Sequence, residues 1–448
     1  MSTLTLPDAP PPAPAEHKPT TAGNYFVSNY PPFSFWRPEH LPELQAALRR
    51  PPAPDTPLGL YLHIPFCRKR CHFCYYKVYT DKDSAAIRGY LEAALRELAF
   101  YAAQPLIGGR KAQFVYFGGG TPSYLSVDQL RHLTDGMKAL LPWDAAEEVT
   151  FECEPGTLTD HKLKAIRDLG VTRLSLGVEH FDDHILEING RAHHSKEIAR
   201  AYEYARSLDF PQINIDLIAG MVEETTERWQ ECVRRTIALA PDSVTIYQME
   251  IPYNTTIYKE MKAAGKLVAP VADWETKRGW VDYAFAQLEQ AGYSVASAYT
   301  AVRNPARTRF VYRDRLWAGA DLLSLGVASF GHLGGTHYQN HQDFEPYVAA
   351  VQQGQSPAFR ALTPTAEERL IREFVLQLKL GHVRASYFQE KFGVDPRARF
   401  AQPLQTLRDW GFLTVAADRL ELNREGLLQV DRLLHEFFLP QHRNVRFV

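Results

Sequence analysis

The chain has 448 residues, enough for one large domain of about 250–300 residues with smaller appendages. Its 45% apolar share, 23% charged share and formal net charge of −2 are those of an ordinary globular protein and exclude a global electrostatic attraction to nucleic acid. No apolar run approaches the roughly 18–20 residues that a membrane span needs.

Residues 1–22 are rich in Pro and Ala and lack a basic segment followed by an apolar one, so a disordered tail is expected rather than a signal peptide. Residues 23–57 hold an aromatic stretch, NYFVSNYPPFSFW, a short amphipathic helix around LPELQAALRR, and the Pro-rich linker PPAPDTP. From residue 58 a β/α rhythm begins. Its β-rich runs are LYLHI (60–64), QFVYF (113–117), EVTFEC (148–153), RLSLGV (173–178), INIDLI (213–218) and SVTIYQ (243–248). Amphipathic helices are expected at 84–103, 126–140, 159–169, 196–208, 224–239 and 272–291. Six such units bend into a partial (β/α)6 barrel over 58–300, with active residues at the carboxyl ends of the strands. Residues 301–360 are expected to close the barrel and contact substrate. Residues 361–448 outline a winged-helix-like domain: three short helices, a hairpin and a closing helix. Its candidate recognition segment, RARFAQPLQTLRDWG, is only modestly basic, so a structural or substrate-covering role is expected.

Five cysteines are present, and three of them, Cys67, Cys71 and Cys74, crowd into eight residues. An odd, clustered count argues against a disulfide framework and for metal chemistry in a reducing cytoplasm. Cys153 and Cys232 stand in or beside apolar segments and read as buried thiols. The segment HIPFCRKRCHFCYYKVY follows the first strand, and its C-x3-C-x2-C spacing can ligate three irons of a cubic [4Fe–4S] cluster, leaving one iron open. A closed zinc site, completed by His72 or a distant residue, is the alternative.

This motif, with Phe73 before the third cysteine, resembles the radical S-adenosylmethionine superfamily. The resemblance implies that the open iron chelates the methionine moiety of S-adenosylmethionine. One-electron cleavage then yields a 5′-deoxyadenosyl radical, with a flavodoxin or ferredoxin as electron donor. GGGTP (118–122), after the second strand, stands where that superfamily places its methionine-binding loop. YLHIPFC, GGGTP, FECEP, SLGVEHF, INGR and NIDLIAG are further similar to the oxygen-independent coproporphyrinogen III oxidases, the related haem chaperones and the class C radical methylases.

In that subfamily two cofactor molecules can lie side by side. The motif positions imply cofactor contacts from Tyr61, Phe73, Gly119, Gly120 and Thr121. They place Glu152 on amino or ribose groups, Arg191 and Asp216 on the second molecule or the ribose, and Ile218 beside an adenine. Glu152, Glu179 and Asp216 also stand near the ends of apolar strands, where a buried carboxylate needs a donor or a cation; salt bridges inside the barrel mouth are the alternative.

The chain departs from the subfamily at three places. Glu179 stands where the oxidases more often carry glutamine, Tyr76 where the oxidase tends to carry a further cysteine, and VYRDRLWAG keeps Trp317 but lacks the chaperones' His-Asn pair. Arg303, Arg307, Arg309, Arg313 and Arg315, interleaved with Phe310 and Tyr312, would suit the propionates of a tetrapyrrole or form a solvated loop. His193 and His194 read as structural, with haem ligation as the alternative. The resemblance therefore implies oxidative decarboxylation of a porphyrinogen propionate or of a similar large substrate. Its alternatives are class C methylation or cyclopropanation, and haem carriage without turnover.

Overall fold

Six parallel strands, each followed by a helix, form the frame of this computed structural model, which describes residues 23–265 and 271–443. The tail expected over 1–22 lies outside the described residues. The strands are β1 (Leu58–Ile64), β2 (Phe114–Gly119), β3 (Glu148–Cys153), β4 (Arg173–Glu179), β5 (Gln212–Ala219) and β6 (Ser243–Gln248). They lie side by side in chain order, as right-handed crossovers of this length require. The period of two along each strand assigns the faces. Val115, Phe117, Val149, Phe151, Leu174, Leu176, Ile213, Ile215, Val244 and Ile246 face the surrounding helices in one buried apolar cluster. The alternate positions carry Tyr61, Tyr116, Glu152, Ser175, Asn214, Asp216 and Thr245, which makes a polar barrel lumen.

Beyond β6 the sheet continues antiparallel through β7 (Ser294–Val295) and β8 (Thr300–Val302), with β8 hydrogen-bonded to β6. On the other side β9 (Asp321–Leu325) runs parallel to β1, and β10 (Phe330–Leu333), β11 (Thr336–Asn340) and β12 (Ala358–Leu362) extend the edge antiparallel. These six short strands are not apparent in the chain's alternation. β7 and β8 have two and three residues, too few for a periodicity signal. Below the sheet edge, Glu97 is buried and accepts hydrogen bonds from Tyr347 Oη (2.6 Å), the Gly326 N–H (2.8 Å) and Asn340 Nδ2 (2.6 Å).

Burial pushes the Glu97 carboxyl up to about 8. A carboxyl raised in the folded state stabilises fully below its unfolded value near 4.5 and loses that contribution as pH rises through about 8. E97Q is therefore expected to flatten the fall in unfolding free energy between roughly pH 5 and 8, which in the wild type approaches about 1.4 kcal/mol per pH unit in that window and levels off above 8. A variant that keeps the full wild-type slope would contradict this.

The C-terminal domain has helices Ala366–Leu378, Ala385–Phe392 and Ala401–Asp409 around a three-stranded sheet of β13 (His382–Arg384), β15 (Arg419–Leu422) and β14 (Leu413–Val415). The N-terminal aromatic segment ties this domain to the barrel. Val27 N–H donates to Asp431 Oδ1 (2.9 Å), and the fully buried Lys379 ammonium bridges Asp431 (2.9 Å) and the Val27 carbonyl (2.8 Å). Phe26 N–H reaches Glu250, just past the end of β6, at 2.7 Å. The aromatic entry segment thus lies at the rim of the barrel's carboxyl-terminal mouth.

Candidate active site

The chain leaves β1 at Ile64 and turns into a loop closed at its neck by backbone. Cys67 N–H donates to the Tyr79 carbonyl (3.1 Å), and Tyr79 N–H donates to that of Pro65 (2.7 Å). Cys67 is buried on this loop, while Cys71 and Cys74 are partly so. Thr121 Oγ1 donates to Cys67 Sγ at 3.3 Å, and Arg191 Nη1 donates to Cys71 Sγ at 3.3 Å. The INGR turn supports the loop from behind: His72 N–H donates to the Asn189 carbonyl (3.0 Å), and the His72 ring bonds that of Ile188 (3.0 Å).

Burial pushes the Cys67 thiol up to about 11 and that of Cys74 up to about 12. Such groups become thiolates when a metal replaces the proton. Among the described residues no three His, Cys, Asp or Glu side chains converge on a single ion. A cubic cluster asks instead for three thiolates on three separate irons, which one cysteine-bearing loop can supply.

The glycine loop is stitched directly to the cysteine loop. Gly120 N–H donates to the Ile64 carbonyl (2.8 Å), and Thr121 N–H donates to that of Phe66 (2.9 Å). Gly119 has φ +111°, and a Cβ there would lie 2.5 Å from His63 Nδ1. G119A is therefore expected to destabilise the fold by about 1–3 kcal/mol, read as a lower urea-unfolding midpoint, with reduced iron content after reconstitution.

Three carboxylates meet in the mouth above the lumen. Glu152 accepts from Tyr116 Oη (2.6 Å) and the Gly119 N–H (3.1 Å). Glu179 lies 3.5 Å from Arg191 and ends β4 with φ +63°, a left-handed conformation unusual for a non-glycine residue. Asp216 accepts from Ser175 Oγ (2.8 Å) and Asn214 Nδ2 (2.9 Å); it sits inside β5, one layer deeper than the strand-end position expected for it. Burial, reinforced by mutual repulsion, pushes Glu152 and Glu179 up to about 7. Three acids against the Arg191 guanidinium, with Arg173 also acting on Asp216, leave a mouth with excess negative charge, which suits a sulfonium or ammonium group. Phe73 and Ile218 meet in a neighbouring apolar cluster with Met221 and Met249, a surface on which a flat base can rest. Tyr61 lies in the lumen beneath, bonded to His63 (3.1 Å) and stacked on Tyr116. These residues fit an iron–sulfur cluster and S-adenosylmethionine in donor chemistry, charge and shape.

The arginine-rich segment lies elsewhere. Strand β8 runs antiparallel to β6, so that Val302 pairs with Ser243, the first residue of β6. The chain therefore exits at the amino-terminal base of the barrel. Arg303 N–H donates to the Asp242 carbonyl (2.9 Å), Arg315 pairs with Glu147 (2.5 Å), and Arg307, Arg309 and Arg313 belong to the same segment. Helix Val311–Trp317 plugs that base, with Glu148 accepting from the N–H groups of Val311 (3.0 Å) and Tyr312 (3.1 Å). These arginines do not line the mouth that holds the cysteines, which corrects the substrate-contact expectation for them.

His193 has no exposed side-chain surface and bonds Glu154 (3.1 Å) and the Val178 carbonyl (3.2 Å), so it is a structural residue; His194 is half exposed, near Asp183. Tyr76 stacks on Tyr75 at 4.6 Å, both exposed. The sequence reading passed over Tyr116 and His63. Both alternate in period two with lumen residues of their strands, a signal that was available in FVYF and YLHI.

The Radical SAM superfamily profile matches residues 61–236, and the HemN C-terminal domain profile matches 365–428. The heme chaperone HemW of Bacillus subtilis is 28% identical over 372 residues, covering 82% of this chain and 96% of the relative. The oxygen-independent coproporphyrinogen III oxidase of Pseudomonas aeruginosa is 26% identical over 416 residues, covering 90% of each chain. The solved coproporphyrinogen III oxidase HemN from Escherichia coli, described as a radical SAM enzyme, superposes with a TM-score of 0.79 at 25% identity, covering 92% of this chain and 96% of that one. With its cysteine loop and glycine loop, the chain carries a Radical SAM domain followed by a HemN C-terminal domain and is similar over most of its length to HemN and HemW; a Radical SAM domain implies a [4Fe–4S] cluster and S-adenosylmethionine as cofactors.

Proposed function

We propose that this protein oxidatively decarboxylates propionate side chains of a porphyrinogen, with the cluster on Cys67, Cys71 and Cys74. When bound, cluster and S-adenosylmethionine supply a 5′-deoxyadenosyl radical that can take hydrogen from an unactivated carbon. The glycine loop, Gly119 to Thr121, lies against the cysteine loop and is assigned to the methionine moiety. Glu152 and Glu179 oppose its positive charge, Phe73 and Ile218 flank the adenine, and Tyr61 closes the lumen below. Arg191 and Asp216 are assigned to the ribose or to a second cofactor molecule. A flavodoxin or ferredoxin serves as electron donor in a reducing cytoplasm; among the described residues no helix is long and apolar enough to cross a membrane.

The observation that carries this reading is the aromatic N-terminal segment NYFVSNYPPFSFW, which resembles the aromatic entry segment of the oxidases and is docked through Phe26 on Glu250 at the mouth's rim. The matches to proteins named as oxidases also extend over 85–92% of the chain, against 82% for the chaperone. The test is an anaerobic assay of the reconstituted protein with S-adenosylmethionine, a strong reductant and coproporphyrinogen III, followed by mass spectrometry. Loss of two carboxyl groups as carbon dioxide, with 5′-deoxyadenosine formed, supports the reading. Deoxyadenosine with an unchanged porphyrinogen sinks it. The similarity to HemW favours one second reading, haem carriage, which is marked by haem binding without porphyrinogen turnover.

A further inference from the structure

At the base of the barrel, opposite the cysteine loop, lies a cavity of about 230 Å³ lined by Arg173, Ser243, Thr308, Arg309, Phe310 and Arg313, among others. Its walls come from the first residues of β4 and β6 and from the segment leading into the plug helix. Arg173 is 2% exposed, its guanidinium lies 4.2 Å over the Phe310 ring, and its Nε has no hydrogen-bond partner. Among the described residues no carboxylate forms an ion pair with it. Arg313 binds Asp314 through Nε (2.9 Å) and Nη2 (2.7 Å), which leaves its Nη1 buried and without a partner. Arg309, at the opening, is exposed.

Glu148 and Asp216 act on Arg173 only through space, and a buried guanidinium without a directly bonded oxyanion is costly. Here three guanidiniums face one cavity whose single lining carboxylate, Asp314, is already engaged by Arg313. Guanidiniums with open N–H edges bind oxyanions in charge-assisted pairs. The volume falls below the roughly 300 Å³ at which pockets for larger organic ligands begin, so the occupant is small. Tyr61, Tyr116 and Tyr312 close the lumen between this cavity and the cysteine loop, with ring centroids 5.9 Å apart for Tyr61–Tyr116 and 4.5 Å for Tyr116–Tyr312.

We propose that this cavity is a second ligand site, separate from the radical chemistry, that binds a small phosphate-type oxyanion between Arg173, Arg313 and Arg309. The test is calorimetric titration of the full-length protein with inorganic phosphate at constant ionic strength, with and without saturating S-adenosylmethionine. The expected result is one saturable site that persists with the cofactor present. That site is weakened at least tenfold in R309S, whose exposed position keeps the fold intact, and in R313M. Absence of saturable phosphate binding, displacement by S-adenosylmethionine, or full binding in both variants overturns the proposal.

Discussion

Replacing Cys71 with alanine is expected to abolish the iron–sulfur absorbance of the anaerobically reconstituted protein and to lower 5′-deoxyadenosine formation by roughly 10³-fold or more, about 4 kcal/mol in barrier terms. Cys71 stands between Cys67 and Cys74 on a loop whose neck is closed by two backbone hydrogen bonds, so its removal leaves two thiols and no substitute donor in the motif. His72 cannot step in without breaking its bond to the Ile188 carbonyl. The fold should survive, because Cys71 is partly exposed and the loop is held through Ile64, Phe66 and Tyr79. C153A and C232A, which remove buried thiols of the apolar core, are expected to keep the absorbance. Wild-type absorbance in C71A, or its loss in C153A and C232A, would move the cluster away from this loop.

The second large effect concerns charge in the mouth. Glu152 is tied to Tyr116 and Gly119 and faces Glu179 and Asp216, so a cationic ligand relieves repulsion among the three acids. Truncating one partner of a buried charge pair costs about 2 kcal/mol or more, and E152A is therefore expected to weaken S-adenosylmethionine binding roughly 30-fold.

The pH dependence has a definite sign. Burial raises Glu152 and Glu179 to about 7, and only their ionised forms attract the cation. Cofactor affinity should therefore rise as pH increases through 7 and level off above 8. In the ligand-free protein the same two groups favour low pH: their stabilising contribution is complete below about 4.5 and lost as pH rises through 7. Equilibrium binding of S-adenosylmethionine at pH 6, 7 and 8, with unfolding curves at the same values, measures both trends. An affinity that falls with pH, or is unchanged in E152A, would remove Glu152 from the cofactor site.

Much of this molecule is legible along the chain. The six parallel strands lie within a few residues of the β-rich runs, because each combines an apolar outer row with a following helix long enough for a crossover. The cysteine spacing and the glycine triplet are local signals, and parallel strands in sequence order bring the loops that follow them to one end of the sheet. Chain order alone therefore determined that Cys67, Cys71, Cys74, Gly119, Gly120, Glu152 and Glu179 would share one mouth.

Direction and depth needed tertiary contacts. The five arginines between 303 and 315 allow either a propionate clamp or a solvated loop by sequence, and antiparallel β8 delivers them to the end of the barrel opposite the cysteines. A three-residue strand carries no periodicity from which its direction could be read. Asp216 lies inside β5 rather than at its end, level with Gly177 in the register of β4 on β5, which no single strand reveals. The docking of residues 24–27 on Asp431, Lys379 and Glu250 joins positions more than 200 residues apart and depends on a buried ammonium whose partners come from both ends of the chain. Local sequence determined the elements and the chemistry of their loops; long-range pairing decided which end of the barrel each charged segment reached.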